Sequence, residues 1–179
     1  MVRMFTFFLA FTSLAVTTLA NPTASNDVYR LVQDINGPLA SDLHNLNVGI
    51  QQAHPIDDDV SQLGHLASQL CNDINKIHSS VDFNGQGISD EDSETVIQAL
   101  NSTCFPEFDE ALNTIRNRAE EFVAYRENIK QVLFDTRSCF QFLNMYFLGI
   151  YAPSRLGEAN RLADSVSADL QAAIAAYSF

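Results

Sequence analysis

The side chains able to do chemistry are few and scattered along the chain. His44, His54, His65 and His78 show no ligand spacing such as HxxxH, and Cys71, Cys104 and Cys139 stand far apart with no CxxC pair. A zinc site needs closely spaced thiolate or imidazole donors, so none is expected. No serine sits in a Gly-x-Ser-x-Gly turn after a strand. Asp82-Phe83-Asn84-Gly85-Gln86-Gly87 places Asp82, Asn84 and Gly87 as in the opening of a calcium loop. The match then fails, because Ser93 stands where the bidentate glutamate belongs and Gln86 replaces an acid. A polar turn before a helix cap explains the same residues. With no nucleophile, metal set or acid–base pair, the chain reads as non-catalytic and without a cofactor.

The N-terminus settles the expected compartment. Arg3 is followed by an almost unbroken apolar run to Val16, and Thr18-Leu19-Ala20 supplies small residues before Asn21-Pro22. That is the layout of a secretory signal peptide (1–20) cut after Ala20. The apolar run is short for a membrane anchor, and no later one reaches spanning length. The mature chain, 21–179, suits one domain with a core that needs no staples. Removing Arg3 leaves nine basic residues against twenty-two acidic, a net charge of −13. Such a chain repels nucleic acid. Asn101-Ser102-Thr103 is a glycosylation sequon, which a late position in a helix arm can make inefficient.

Helical periodicity dominates the mature chain. Val60, Leu63, Ala67, Leu70, Ile74, Ile77 and Val81 step 3-4-3-4-3-4. So do Ile129 through Ile150 (by way of Leu133, Thr136, Phe140, Leu143 and Phe147), and Leu156, Ala159, Ala163, Val166, Leu170, Ala173 and Tyr177. These are seams of bundle helices, not alternating strands. The spacing predicts an all-α, single-domain, up-and-down bundle of about five helices. The first runs from an Asn26 or Asp27 cap to about Ala53 and must kink or break at Gly37-Pro38. The second covers about 57–82. The third, capped by Ser89 with Asp92 three residues on, is split at Pro106 and ends near Tyr125. The fourth and fifth cover about 127–151 and 155–177.

The stretch from Cys139 to Tyr151 carries apolar residues on nearly every side of a helix, more than one seam requires. Either it is the most buried helix of the bundle, or its surplus aromatics line a cavity or face an apolar partner. Heights along the bundle, counted from the 83–89 loop at about 1.5 Å per residue, place Cys71 and Cys104 level and Cys139 lower. A Cys71–Cys104 bridge is therefore expected, with Cys139 as a free thiol.

The chain resembles the fungal hydrophobic surface-binding protein A family, which includes cell-wall galactomannoproteins. The residues that carry the likeness are Asp27 to Ile35, Gly87-Ile88-Ser89-Asp90-Glu91-Asp92-Ser93 with the segment up to Leu100, Pro106, and the closing Ala168-Asp169-Leu170-Gln171-Ala172-Ala173-Ile174-Ala175-Ala176-Tyr177. The likeness spans essentially the whole mature chain. It implies a secreted or wall-associated five-helix protein that adsorbs to apolar surfaces, recruits polyester-degrading hydrolases there, or holds a fatty acid between its helices. Three cysteines, a heavier negative charge, more phenylalanine and no Ser/Thr-rich tail depart from that pattern.

Joined to the seams, these readings place an acyl-chain site along the fourth helix. Phe140, Leu143, Met145, Phe147 and Ile150 form one wall, and the small residues Ala159, Ala163 and Ala173 of the fifth helix form the other. Arg137 and Arg155 are the nearest carboxylate clamps. The competing expectation is an interaction, effector or wall structural protein whose core Phe140 and Phe147 fill completely.

Overall fold

The computed structural model describes residues 26–80, 83 and 87–178. The leader 1–20 with its cleavage point, and Asp82 and Asn84 of the calcium-like turn, lie outside the described residues. Seven α-helices follow one another: α1 (Asn26–Asp34), α2 (Ala40–Gln52), α3 (Asp57–Ser80), α4 (Asp90–Ala99), α5 (Phe105–Asn117), α6 (Arg126–Ile150) and α7 (Leu156–Ala176). A π-helical turn, Ile35–Leu39, joins α1 to α2, and a second, Leu100–Cys104, joins α4 to α5. Five rods result, with no strand among the described residues.

The rods end where local chemistry ends them. Ser89 caps α4, its side chain accepting from the Asp92 amide at 3.0 Å. The first turn of α3 carries Asp57, Asp58 and Asp59, favourable at the positive end of a helix dipole. Before that helix, Ala53 turns to extended backbone next to His54-Pro55. Arg118 binds the carbonyls at the end of α2, donating to Ala53 O at 2.7 Å and also to Ile50 O.

The prolines mark the interruptions of two rods, as the sequence suggests. Pro38 lies inside the first π turn, and Pro106 in the first turn of α5, directly after the second. Each of these two rods is split there into two α-helical arms that a π turn joins. The third rod also stops earlier than expected, at Asn117. Residues 118–125 form turns and a single 3-10 turn, Val123–Tyr125, and Phe122 is buried there with Arg118 over its ring.

Around the core α2 packs on α3, α3 on α6, α6 on α7, α7 on α5, and α5 back on α2. This closed ring buries the predicted seam of α6 and, on α3, Val60, Leu63, Ala67, Leu70, Ile74 and Ile77 (Val81 lies outside the described residues), while Leu156, Ala163 and Val166 of the α7 seam are only partly covered. Ile129, Leu133, Thr136, Phe140, Leu143, Phe147 and Ile150 are the buried residues of α6. Phe108 of α5 stacks on Phe140 at 4.2 Å between ring centroids.

The disulfide corrects the sequence expectation. Cys71 of α3 is bonded to Cys139 of α6, with 5.5 Å between their Cα atoms. Cys104 is the free thiol, and it is buried. The height count failed because it carried 118–125 as helix. Removing eight helical residues raises α6 by about 12 Å, which brings Cys139 level with Cys71. The ring order then decides the partner, since α3 adjoins α6 directly while α2 stands between it and α5. Cys104 Sγ instead lies 3.6 Å from Ile35 O, a carbonyl of the facing π turn.

Candidate functional site

The cavity lies between α6 and α7. Arg137, Phe140, Leu143 and Phe147 of α6, with Tyr151 just past its end, form one wall. Their spacing of three or four residues keeps them on a single stripe. Ala159, Leu162, Ala163, Val166 and Leu170 of α7 form the opposing wall, and Leu100 and Phe105 close the floor from the second π turn and α5. The volume is about 200 Å³. That exceeds the roughly 150 Å³ of an engineered apolar cavity able to take benzene, and falls below the roughly 300–1,000 Å³ of ordinary ligand pockets. The two phenylalanines of the seam thus leave space between the helices.

Of the expected site residues, Phe140, Leu143, Phe147, Ala159 and Ala163 line this cavity. Ile150 and Ala173 are buried but belong to the packed core outside its walls. Met145 is a correction: it is 72% exposed on the outer side of α6. Its position, two residues past Leu143 and two before Phe147, sets it about 160° round the helix from either at 3.6 residues per turn. Tyr151 and Leu162 were missed. Leu162 lies one residue off the predicted seam of α7, and Tyr151 closes the aromatic run at a position where the helix has already ended.

The two arginine candidates separate sharply. Arg155 is spent at the α6–α7 connection, where it pairs with Asp90 (3.3 Å), Glu94 and Glu158 (3.6 Å). Ser154 also donates to Asp90 there, and these contacts hold the Asp90 carboxyl below the ordinary range, the Ser154 hydrogen bond contributing most. Arg137 is half-buried in the cavity wall, and its Nε is buried without a hydrogen-bond partner among the described residues. Gln141, Asn144 and Ser167 add neutral polar groups nearby, and the exposed Asp164 reaches the rim. A guanidinium with an unmet Nε beside an apolar space suits an anionic headgroup with an alkyl tail.

α7 is held at its ends more firmly than along its middle. Arg155 fixes its start, while at its finish the buried Tyr177 donates to Ile115 O at 2.8 Å. Between them Leu162, Ala163 and Val166 are only partly covered. On its other flank, against α5, runs a second space of about 320 Å³. Phe105, Leu162 and Val166 border both spaces.

Other expected features fall outside the cavity. Asn101 is exposed at the second π turn. Among the described residues, no cluster of three or more His, Cys, Asp or Glu side chains is placed to hold a metal. No helix among them is long and apolar enough to cross a membrane.

No family model matches the chain, and no curated protein matches it in sequence. Solved structures do match its fold. AfMP4p in complex with palmitic acid superposes with a TM-score of 0.74 at 16% identity, covering 85% of this chain and 100% of that one. Ligand binding domain 1 of Penicillium marneffei MP1 protein, complexed with arachidonic acids, gives 0.76 at 12% identity, covering 85% and 99%. Ligand binding domain 2 of the same protein, complexed with multiple arachidonic acids, gives 0.74 at 13%, covering 84% and 96%. At such identities the likeness establishes a shared helical fold.

Proposed function

We propose that this protein is a non-catalytic binder of a fatty acid, held as a single acyl chain between α6 and α7. The observation that carries the reading is an apolar cavity whose wall includes a partly buried guanidinium, that of Arg137, with its Nε unpartnered among the described residues. Fatty acids in the structural neighbours support it. Each methylene taken from water contributes about 0.8 kcal/mol, so the tail supplies most of the affinity and Arg137 the orientation. Because the cavity is small for a long chain, uptake requires the middle of α7 to bow outward. The disulfide secures α6 to α3, which leaves α7 as the moving wall.

The test is calorimetric titration of the full chain with hexadecanoate, beside Ala163→Leu and Arg137→Met. Ala163→Leu puts three further carbons where the tail would lie, equivalent to about 2.4 kcal/mol of displaced methylenes, or roughly fifty-fold in affinity. Arg137→Met should weaken hexadecanoate more than hexadecanol. Failure of the folded wild type to bind any long-chain fatty acid ends the reading.

A second reading has its own observation. Phe134 (39%), Phe142 (41%) and Met145 are exposed on the outer side of α6. Together with the resemblance to the hydrophobic surface-binding family, they favour adsorption to apolar surfaces, recruitment of a polyester-degrading hydrolase there, and secretion with attachment to a cell wall. Adsorption of wild type and a Phe134→Ser/Met145→Ser variant to polyester particles tests it; equal adsorption refutes the role of this face.

A further inference from the structure

The cavity holds a second unpartnered polar group, at the end away from Arg137. Tyr151 is only 6% exposed, lines the apolar space, and its hydroxyl has no hydrogen-bond partner among the described residues. Its ring stacks on Phe147 at 5.6 Å, which fixes it in the wall. Desolvation pushes the phenol pKa up, with the charge of Glu158 adding in the same direction, so the group remains an O–H donor. Beside it in sequence, the Ala152 amide donates to Ser93 Oγ at 2.9 Å and Ile150 O accepts from the Ile88 amide at 2.7 Å, and neither meets the phenol. Buried hydroxyls are normally satisfied, because an unmet one forfeits its water without compensation. A purely hydrocarbon tail would leave this cost in place.

Resting on the fatty-acid reading above, we infer that the preferred ligand is an oxygenated fatty acid. Its carboxylate lies at Arg137, and a hydroxyl near the far end of the chain is paired with the Tyr151 hydroxyl. The spacing sets the position of that second group. Arg137 and Tyr151 stand fourteen residues apart along α6, roughly 21 Å at 1.5 Å per residue, so the two polar functions of the ligand belong near opposite ends of a long chain. The phenol both donates and accepts, and so suits a hydroxyl, which does the same. A site built around such a pairing discriminates against the analogue that lacks the partner.

The experiment compares hexadecanoic acid with 16-hydroxyhexadecanoic acid by calorimetry on the wild-type chain and on Tyr151→Phe. One neutral hydrogen bond corresponds to roughly three- to tenfold in affinity. The wild type should prefer the hydroxylated acid by that factor, and the ratio should collapse to about one in the variant. A wild-type ratio of one, or a preference that survives in Tyr151→Phe, overturns the inference while hexadecanoate binding keeps the underlying reading. Binding of neither acid sinks both. Should Tyr151→Phe not fold, 2-hydroxyhexadecanoic acid on the wild type serves instead. Its hydroxyl sits at the wrong end, so a gain equal to that of the 16-hydroxy acid refutes the pairing.

Discussion

Replacing both Cys71 and Cys139 with alanine removes the link between α3 and α6 and leaves the ring order to packing alone. The bridge closes a loop of 68 residues. In the chain-entropy treatment a loop of that length restricts the unfolded state by about 4 kcal/mol at room temperature, an upper figure because real unfolded chains are already compact. With a urea slope near 2 kcal/mol per molar, the midpoint of unfolding should fall by roughly 2 M. The slope itself should rise, since the freed chain exposes more surface on unfolding. Far-ultraviolet circular dichroism follows the transition directly, and without denaturant the spectrum should match wild type. Cys104→Ala is the control, since it removes a thiol but no crosslink. A double variant losing under about 1 kcal/mol, or one losing no more than Cys104→Ala, would refute the assignment of the bridge as the staple of α3 to α6.

Three further outcomes follow from the same structure. The Cys104 thiol, pushed to a pKa of about 12 by burial, should resist a thiol reagent at pH 8 in the folded state and react fully in urea, as counted by absorbance; labelling at the rate of a free thiol would contradict its burial. Asp42 is buried, with Gln69 donating to Oδ1 at 2.8 Å and Oδ2 unpartnered. Desolvation, then the adjacent Asp73, raises its pKa in the fold. A raised folded pKa means that its charged form destabilises, so its penalty is greatest at neutral pH and fades as pH falls toward the unfolded value. Asp42→Asn should therefore be more stable than wild type at pH 7, by a margin that shrinks at pH 4 in urea titrations. Ser89→Ala deletes the cap of α4 and should cost about 1 kcal/mol, read from the same titrations; no loss would mean that the Asp92 amide finds another acceptor.

How much of this was legible in the sequence depends on what each residue's neighbours decide. The seams of α3 and α6 could be read residue by residue, because 3-4 spacing alone dictates which side faces inward. The cap at Ser89 is equally local. The disulfide was not legible, because it turns on where the third rod stops and on which rods adjoin around the ring. Neither is written in periodicity: 118–125 lacks a glycine or proline to mark the end of the helix. The cavity walls were visible in Phe140, Leu143, Phe147, Ala159 and Ala163, where large side chains face small ones. Met145 misled through its type; on helical angle alone it belonged outside. Choosing Arg137 over Arg155 required seeing that Asp90 and Glu94, some sixty residues away, had already claimed Arg155.

The paired π turns have a consequence for phase. Leu31, Ile35, Leu39 and Leu43 follow one another at intervals of four, and so do Val96, Leu100, Cys104, Phe108 and Leu112, yet every one of them is buried. On an ideal α-helix each step of four overshoots a full turn by about 40°, so three or four such steps would carry the line well round the rod. The wider turns absorb that drift, and they do so side by side: Thr103 Oγ1 donates to Asn36 Oδ1 at 2.9 Å between them. Each acts as a vernier that resets the angular position of everything downstream. Were the same residues wound as regular α-helix throughout, the three steps from Val96 would carry Phe108 about 120° round the rod, taking away the ring that stacks on Phe140 without altering a single side chain.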